Sequence, residues 1–208
     1  MIIAVDGPLA SGKGTIARAL AAHFGLPYLD TGSLYRATGI AVLDAGIDQT
    51  DPEACAAIAR SLDLAAIDEV RIRTAEAGAM ASRVGSIPQV RKALFDLQRA
   101  FAEQPGGAIL DGRDIGTVIC PDADVKLYVT ADTETRARRR WQELNARGET
   151  ISLDEMLAQT RERDHRDAGR SDAPMRPADD ATLLDTSSLS IDAAVTDAVA
   201  IVEKRQKA

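Results

Sequence analysis

The chain has 208 residues, and its composition of 45% apolar, 27% charged and 3% aromatic residues is typical of a globular domain with a largely aliphatic core. Its formal net charge of −7 argues against general binding of nucleic acids or anionic membranes, because such binding needs a broad basic surface. No apolar run approaches the ~18 residues of a membrane span, and Cys55 and Cys120 lack the spacing of a metal site.

The first fifteen residues, MIIAVDGPLASGKGT, combine an apolar strand, a glycine-rich turn and the start of a helix. Such a turn binds phosphate, because glycines let backbone N–H groups approach an anion, the helix N-terminus adds its dipole, and Lys13 supplies a mobile charge. The alternative, an ordinary tight turn before a helix, leaves this glycine spacing unexplained. The residues expected to bind the phosphates of ATP are Gly7, Pro8, Leu9, Ala10, Ser11, Gly12, Lys13, Gly14 and Thr15.

The loop departs from its common form at one position. Most such loops have Ser or Thr directly after the lysine, where the hydroxyl binds magnesium. Here Gly14 takes that position and Thr15 follows it. The G-K-G-T ending resembles the nucleoside monophosphate kinases, in which magnesium is held mostly by phosphates and waters. We therefore assign no direct protein ligand to the metal.

Residues 26–29 predict a second strand, and the segment DTGSLYR leads from it into a helix over residues 33–45. Asp30 and Thr31 are good helix-capping residues, and capping alone would explain them. Arg36 then either lies on a solvated helix surface or binds a substrate phosphate.

The middle of the chain is mostly helical in pattern. Between Asp63 and Arg73, however, the alternation of apolar and charged residues predicts two short strands around Asp68-Glu69. In the helix after Pro88, Arg91 and Arg99 lie off the apolar stripe, so spacing alone predicts that both are solvated. The predicted helices of this region span residues 53–62, 75–84 and 88–103.

A buried strand over residues 108–110 runs into the segment DGRDIGT. Its first residue, Asp111, stands where an aspartate near the magnesium shell is expected, at the end of a strand beside a phosphate loop. Arg113 follows in a dense charged turn, and the carboxyl ends of strands are where doubly wound sheets bind ligands. A plain surface turn is the alternative.

Two basic helices follow a strand over residues 125–129. The first extends to Arg147 and the second spans residues 153–168, with Gly148 between them. They form a candidate lid over a polyphosphate, although a solvated hairpin with Glu–Arg pairs has the same pattern. A strand over residues 182–185 and a helix over 191–204 close the chain.

The ordered motifs of the chain, taken together, resemble those of the bacterial cytidylate kinases, which are P-loop nucleoside monophosphate kinases. The resemblance implies one α/β domain over residues 1–208 with a three-layer P-loop kinase fold. It would contain a parallel five-stranded sheet, a nucleotide-binding insert at about 48–104 and a short lid at about 136–170. The motifs are GPLASGKGT, DTGSLYR, IRT, SIPQVRKAL, QRAF, DGRDIGT and RERDHRDAGR.

The resemblance also implies roles for individual residues in a reaction that phosphorylates CMP and dCMP. Arg36 and Arg113 match the clamps on the CMP phosphate, and Arg163 and Asp167 match the pair that contacts the ribose. The positions that match the cytosine-reading residues are Ser82, Arg91 and Arg170. The same CMP pocket would include Thr31, Tyr35 and Asp114. The residues expected to act in catalysis are Lys13, Arg113 and Arg163.

The implied partners are ATP with Mg²⁺ as donor and CMP or dCMP as acceptor, without nucleic acid or membrane. Two phosphorylated substrates would explain the arginines, because a guanidinium binds phosphate bidentately. Met1 leads straight into the first strand without a secretory signal, so we expect a cytoplasmic protein, and we expect a monomer.

Two other functions share the phosphate loop. A kinase for adenylate or shikimate would need different acceptor residues. A GTP-dependent switch would usually show an N/T-K-x-D guanine-reading motif, which the sequence lacks.

Overall fold

The computed structural model describes residues 1–63 and 66–206. By internal packing the chain divides into two compact units, which we call unit one (Met1–Asp30 and Arg99–Ala208) and unit two (Thr31–Gln98).

Within the described residues, unit one contains a five-stranded sheet in which every paired neighbour is parallel, in the order β2-β3-β1-β4-β5. The central strand β1 is buried from Ile3 onwards, as expected for a parallel strand covered on both faces. The predicted parallel five-stranded sheet is therefore confirmed. The strands are β1 (Ile2–Asp6), β2 (Tyr28–Asp30), β3 (Ala108–Gly112), β4 (Val125–Thr130) and β5 (Thr182–Asp185).

Helices of unit one pack on this sheet through small and aliphatic side chains. Ile16 and Leu20 of the first helix and Ala198 and Val202 of the last share one core with the strands. The next-to-last helix begins with a capping box at Ser152, which fixes its start. The helices of unit one are α1 (Lys13–Phe24), α6 (Thr133–Ala146), α7 (Leu153–Ala168) and α8 (Ile191–Gln206).

Unit two is helical in the residues described, and α2 packs mainly against α4. Asp51 starts α3 by accepting the backbone N–H groups of Glu53 and Ala54. The helices that begin in unit two are α2 (Thr31–Asp44), α3 (Pro52–Arg60), α4 (Ala75–Val84) and α5 (Pro88–Ala102).

The prediction of two short strands between Asp63 and Arg73 was wrong for the residues that the structure describes there; residues 64–65 lie outside them. Asp68 accepts the backbone N–H groups of Val70 and Arg71, which starts a 3₁₀ turn over Arg71–Arg73. An aspartate side chain that bonds the backbone in this way competes with strand pairing.

Nowhere in the described part of the chain is there a helix with the length and apolar character needed to cross a membrane.

Candidate functional site

The phosphate loop connects β1 to α1 within unit one. Ala10, with φ of 58°, and Gly12, with φ of 90°, hold left-handed backbone conformations. Strain of this kind at a non-glycine residue such as Ala10 often marks a ligand site. The buried Ser11 hydroxyl has no hydrogen-bond partner among the described residues, which suits a site that takes a polar ligand. Thr186 braces the loop by donating to the Ser11 carbonyl oxygen at 2.8 Å.

Lys13 begins α1, with its Nζ atom 3.4 Å from the Pro8 carbonyl oxygen. Burial and the nearby positive charge of Arg113 lower the pKa of Lys13 to about 7, while Asp111 and Asp30 oppose the change. The lysine charge is therefore only weakly compensated before a substrate binds. A polyphosphate would supply the missing negative charge.

Two carboxylates lie at the carboxyl ends of neighbouring strands, Asp30 on β2 and Asp111 on β3. Burial and the charge of Asp30 raise the pKa of Asp111 to about 6. The Tyr28 hydroxyl donates to Oδ2 of Asp111 at 3.2 Å. Mg²⁺ is commonly bound through one or two carboxylates together with substrate phosphates, so this pair has the chemistry of a magnesium site.

The packing of Asp111 also explains the unusual glycine after the lysine. A Cβ atom on Gly14 would lie 3.0 Å from Oδ2 of Asp111 and 3.7 Å from the Tyr28 hydroxyl. A serine or threonine at this position would crowd the carboxylate.

Three arginines converge on Asp167 of α7, whose side chain is only 2% exposed. Oδ2 accepts from Arg113 at 3.1 Å and lies 3.8 Å from Nε of Arg163, while Oδ1 accepts from Arg170 at 2.5 Å. Although burial opposes it, the charges of the three arginines lower the pKa of Asp167. One carboxylate thus organises three positive charges, which suits the binding of an anionic substrate.

Another ion pair, between the buried Arg136 of α6 and the partly buried Asp164 of α7, joins the two basic helices. The guanidinium donates to both carboxylate oxygens, at 3.0 and 2.6 Å, and its Nη1 lies 3.4 Å from the Leu9 carbonyl oxygen. Asp164 directly follows Arg163, so the pair holds that part of α7 beside the phosphate loop.

In unit two the structure brings together two of the predicted residues, since the Arg91 guanidinium lies 5.9 Å from the centre of the Tyr35 ring. The prediction from spacing alone that Arg91 is solvated was wrong, because its exposed fraction is 6%. Thr31 and Ser82 are also buried, and Arg36 lies on the second turn of α2.

The solvated position predicted for Arg99 was wrong as well. This residue is half-buried and donates to the Ile119 carbonyl oxygen and to Asp122, both at 2.9 Å. A helical stripe describes the faces of one helix only, and it does not identify which other segments cover the polar face.

Sequence patterns placed Lys13 at the start of the helix after the glycine-rich turn, and Asp111 and Arg113 at the carboxyl end of a strand, where the structure has them. Local patterns did not single out Tyr28 as a partner of Asp111, and they gave Asp30 only a capping role. The signal was available in the paired strands, because residues that end adjacent parallel strands come close together.

Comparison with known proteins identifies relatives of the whole chain. The family model described as cytidylate kinase matches residues 3–204. The cytidylate kinase of Methylocella silvestris is 59% identical over 203 residues, which cover 98% of this chain and 94% of that protein. The cytidylate kinase of Xanthobacter autotrophicus is 58% identical over 206 residues and 99% of each chain.

Solved structures support the fold. An uncharacterized protein from Eubacterium ventriosum has a TM-score of 0.58 at 13% identity, with 100% of this chain and 99% of that chain covered. A gluconokinase from Sinorhizobium meliloti has a TM-score of 0.53 at 13% identity, with coverage of 99% and 93%. At such low identity the likeness concerns the fold alone, and together with the parallel sheet it confirms the predicted P-loop kinase fold.

Proposed function

Because the chain belongs to the cytidylate kinase family, we propose that it transfers the γ-phosphate of ATP to CMP and dCMP, giving ADP and CDP or dCDP for pyrimidine nucleotide metabolism. The observation that carries the assignment is the family match over residues 3–204. The chain is therefore a nucleoside monophosphate kinase. The roles of its residues, which follow, are part of the proposal.

The donor side consists of the phosphate loop. Backbone N–H groups between Gly7 and Thr15, other than at Pro8, which has none, would bind the ATP phosphates. Lys13 would neutralise charge that develops on the transferred group. Magnesium would neutralise phosphate charge and orient the γ-phosphate when bound with ATP. Asp111 and Asp30 are the carboxylates that would hold it, directly or through water.

The acceptor side uses arginines. Arg36 and Arg113 would hold the CMP phosphate, and Arg163 would neutralise charge on the phosphoryl group in transfer. Support for these roles comes from the family pattern and, for Arg113 and Arg163, from their shared contact with Asp167. The reaction needs no general base, because the acceptor is already a phosphate oxyanion.

Cytosine presents two acceptors, N3 and O2, and a donor amino group. Arg91 and Arg170 would donate to the acceptors, and Ser82 would complete the pocket. Thr31, Tyr35 and Asp114 are proposed to line the CMP pocket, and Asp167 to contact the ribose. Uracil reverses the pattern at N3 and C4, so a pocket built for cytosine would discriminate against UMP.

The two basic helices, α6 and α7, are proposed to act as the lid. Closure would exclude water from the transferred phosphoryl group and so limit hydrolysis of ATP. The Arg136–Asp164 pair beside Leu9 supports a link between these helices and the phosphate loop.

The decisive experiment is a coupled assay of ADP formation with ATP, Mg²⁺ and each of CMP, dCMP, UMP, AMP and shikimate. We expect rapid turnover with CMP and dCMP and slow turnover with the other three. A clear preference for AMP or shikimate would support another small-molecule kinase. ATP turnover that no acceptor accelerates would support a nucleotide-dependent switch.

A further inference from the structure

Asp6, the last residue of β1, is buried with an exposed fraction of 4%. Its two carboxylate oxygens accept two successive backbone N–H groups: Oδ1 from Ile115 at 2.8 Å and Oδ2 from Gly116 at 2.7 Å. These hydrogen bonds form a fork that spans 109 and 110 residues of sequence. We call this arrangement the Asp6 clasp.

The clasp joins two segments that carry different parts of the proposed chemistry. On one side, Asp6 directly precedes the phosphate loop, and its own backbone is held between Gly112 of β3 and Tyr128 of β4. On the other side, Ile115 and Gly116 open the π-helical turn Ile115–Ile119, directly after Arg113 and Asp114.

Packing leaves little freedom at the far end of the clasp. A Cβ atom on Gly116 would lie 3.4 Å from Oδ2 of Asp6 and 3.1 Å from Cδ of Lys126. The Lys126 side chain is itself fixed, because its Nζ donates to the Pro121 carbonyl oxygen at 2.6 Å and to Asp180 at 2.9 Å. A side chain at position 116 would therefore press on the aliphatic part of Lys126, whereas its contact with the Asp6 carboxylate would be an ordinary one.

Burial of the Asp6 carboxylate carries a desolvation cost, which argues against an incidental contact. Burial raises the pKa of Asp6 to about 7, while the two backbone hydrogen bonds and the charge of Arg113 act in the opposite direction and that of Asp114 adds to the rise. An apolar residue in this position would avoid the desolvation of a carboxylate.

We infer that Asp6 is a positioning residue for phosphoryl transfer, which holds the Arg113–Asp114 segment in register with the phosphate loop. It touches no substrate in this scheme and acts through Arg113. The inference rests on the proposed role of Arg113 at the CMP phosphate. A displacement of this guanidinium by a fraction of an ångström would weaken its contact with the phosphate, because bidentate hydrogen bonds require close alignment.

The test is a double-mutant cycle in kcat for CMP, built from Asp6→Asn and Arg113→Met. Asparagine keeps the shape of Asp6 but turns an amide N–H group toward one of the two backbone donors, so the fork is broken. We expect Asp6→Asn to lower kcat about tenfold in the wild-type chain and less than about twofold in the Arg113→Met chain, because residues that act as a unit are not additive.

The readout that separates positioning from general damage is the affinity for ADP, measured by calorimetry. We expect Asp6→Asn to change the Kd for ADP by less than about twofold, because ADP binding does not use Arg113. Asp124→Asn is the matched control, since Asp124 accepts the Ile2 N–H at 2.7 Å at the opposite end of β1. This control should leave kcat unchanged.

If Asp6→Asn unfolds below the assay temperature, Gly116→Ala perturbs the same clasp from its other end and enters the same cycle with Arg113→Met. Multiplicative losses in kcat, or a rise in the Kd for ADP as large as the fall in kcat, would overturn the inference. A wild-type chain without CMP kinase activity would instead refute the proposed function. If kcat depends on Arg113 but neither clasp variant alters it, the positioning role of Asp6 would be overturned while the proposed function would stand.

Discussion

Lys13 is the charged residue of the phosphate loop, and its pKa lies well below the usual value for lysine. Burial and Arg113 lower its pKa to about 7, so the free enzyme loses this positive charge as the pH rises through neutrality. Binding of a polyphosphate favours the charged form and raises the pKa again. Above pH 7, nucleotide binding should therefore be linked to uptake of a proton.

We predict that ADP binding takes up close to one proton at pH 8–9, and that its Kd rises by about tenfold per pH unit in this range. The phosphates of ADP are already ionised there, so the linkage reports the lysine. Calorimetry in buffers with different ionisation enthalpies measures the proton directly. Lys13→Ala should abolish the uptake and lower kcat by at least ~100-fold; uptake that persists in this variant would assign the proton elsewhere.

Asp167 contacts several arginines and is not simply the acidic partner of an ion pair within α7. Its i,i+4 spacing with Arg163 predicted such a pair, but the structure adds Arg113 and Arg170, and the Arg163 contact is the longest of the three at 3.8 Å. In the proposed function, Asp167 would therefore act on the acceptor in two ways, through the ribose and through the arginines that its carboxylate holds.

We predict that Asp167→Ala lowers kcat/KM for CMP and dCMP by similar factors, on the order of 100-fold, because both acceptors depend on the arginines that it organises. Steady-state kinetics with both acceptors checks this. Glu162→Gln is the control, since Glu162 pairs with Arg166 on the same helix at the same i,i+4 spacing. A loss confined to CMP would show that the carboxylate serves mainly the 2′-hydroxyl.

At the scale of elements, ion pairs in different environments join α6 to α7. The Arg136–Asp164 pair has side-chain exposures of 5% and 26%, whereas the Arg161–Glu134 pair has exposures of 63% and 61%. An exposed pair contributes little to stability, but loss of one partner from a buried pair leaves a desolvated charge.

We predict that Asp164→Ala lowers the free energy of unfolding by about 3 kcal/mol and that Glu134→Ala lowers it by less than about 1 kcal/mol. Urea unfolding followed by circular dichroism measures both. We also expect Asp164→Ala to lower kcat, because Arg163 and Asp167 lie on the same helix. Equal effects of the two substitutions would show that burial does not distinguish the pairs.

For the molecule as a whole, the excess of acidic residues coexists with a local concentration of arginine. The chain has 32 Asp and Glu residues against 25 Lys and Arg residues, yet three arginines share one buried carboxylate in unit one. A negative net charge argues against a broad surface that binds polyanions, but it is compatible with a local nucleotide site.

We predict that Arg91→Met in unit two and Arg170→Met in unit one each lower kcat/KM for CMP by ~30- to 1,000-fold, which corresponds to about 2–4 kcal/mol for loss of a buried charged donor. The Kd for ADP should change by less than about twofold in both variants. Arg83→Met, which removes a surface arginine bonded to Gln49, is the control. Equal losses for CMP and ADP would indicate a folding defect.

The sequence alone determined the phosphate loop, the parallel sheet and the family, because each depends on patterns within a few residues or on the order of motifs. Strand, glycine turn and helix are adjacent in MIIAVDGPLASGKGT, so Lys13 could be placed at the start of α1. The segment DGRDIGT directly follows a short apolar run, so its position at the end of β3 could also be predicted.

Only the tertiary structure decided which distant residues meet. Asp6 contacts Ile115 across 109 residues, Arg113 contacts Asp167 across 54, and Asp111 fills the space beside Gly14. Sequence spacing carries no information on such contacts, because the order of strands in the sheet sets them. The same limit explains the error before Arg73, since an alternating pattern fits a strand or a turn until a side chain such as that of Asp68 binds the backbone.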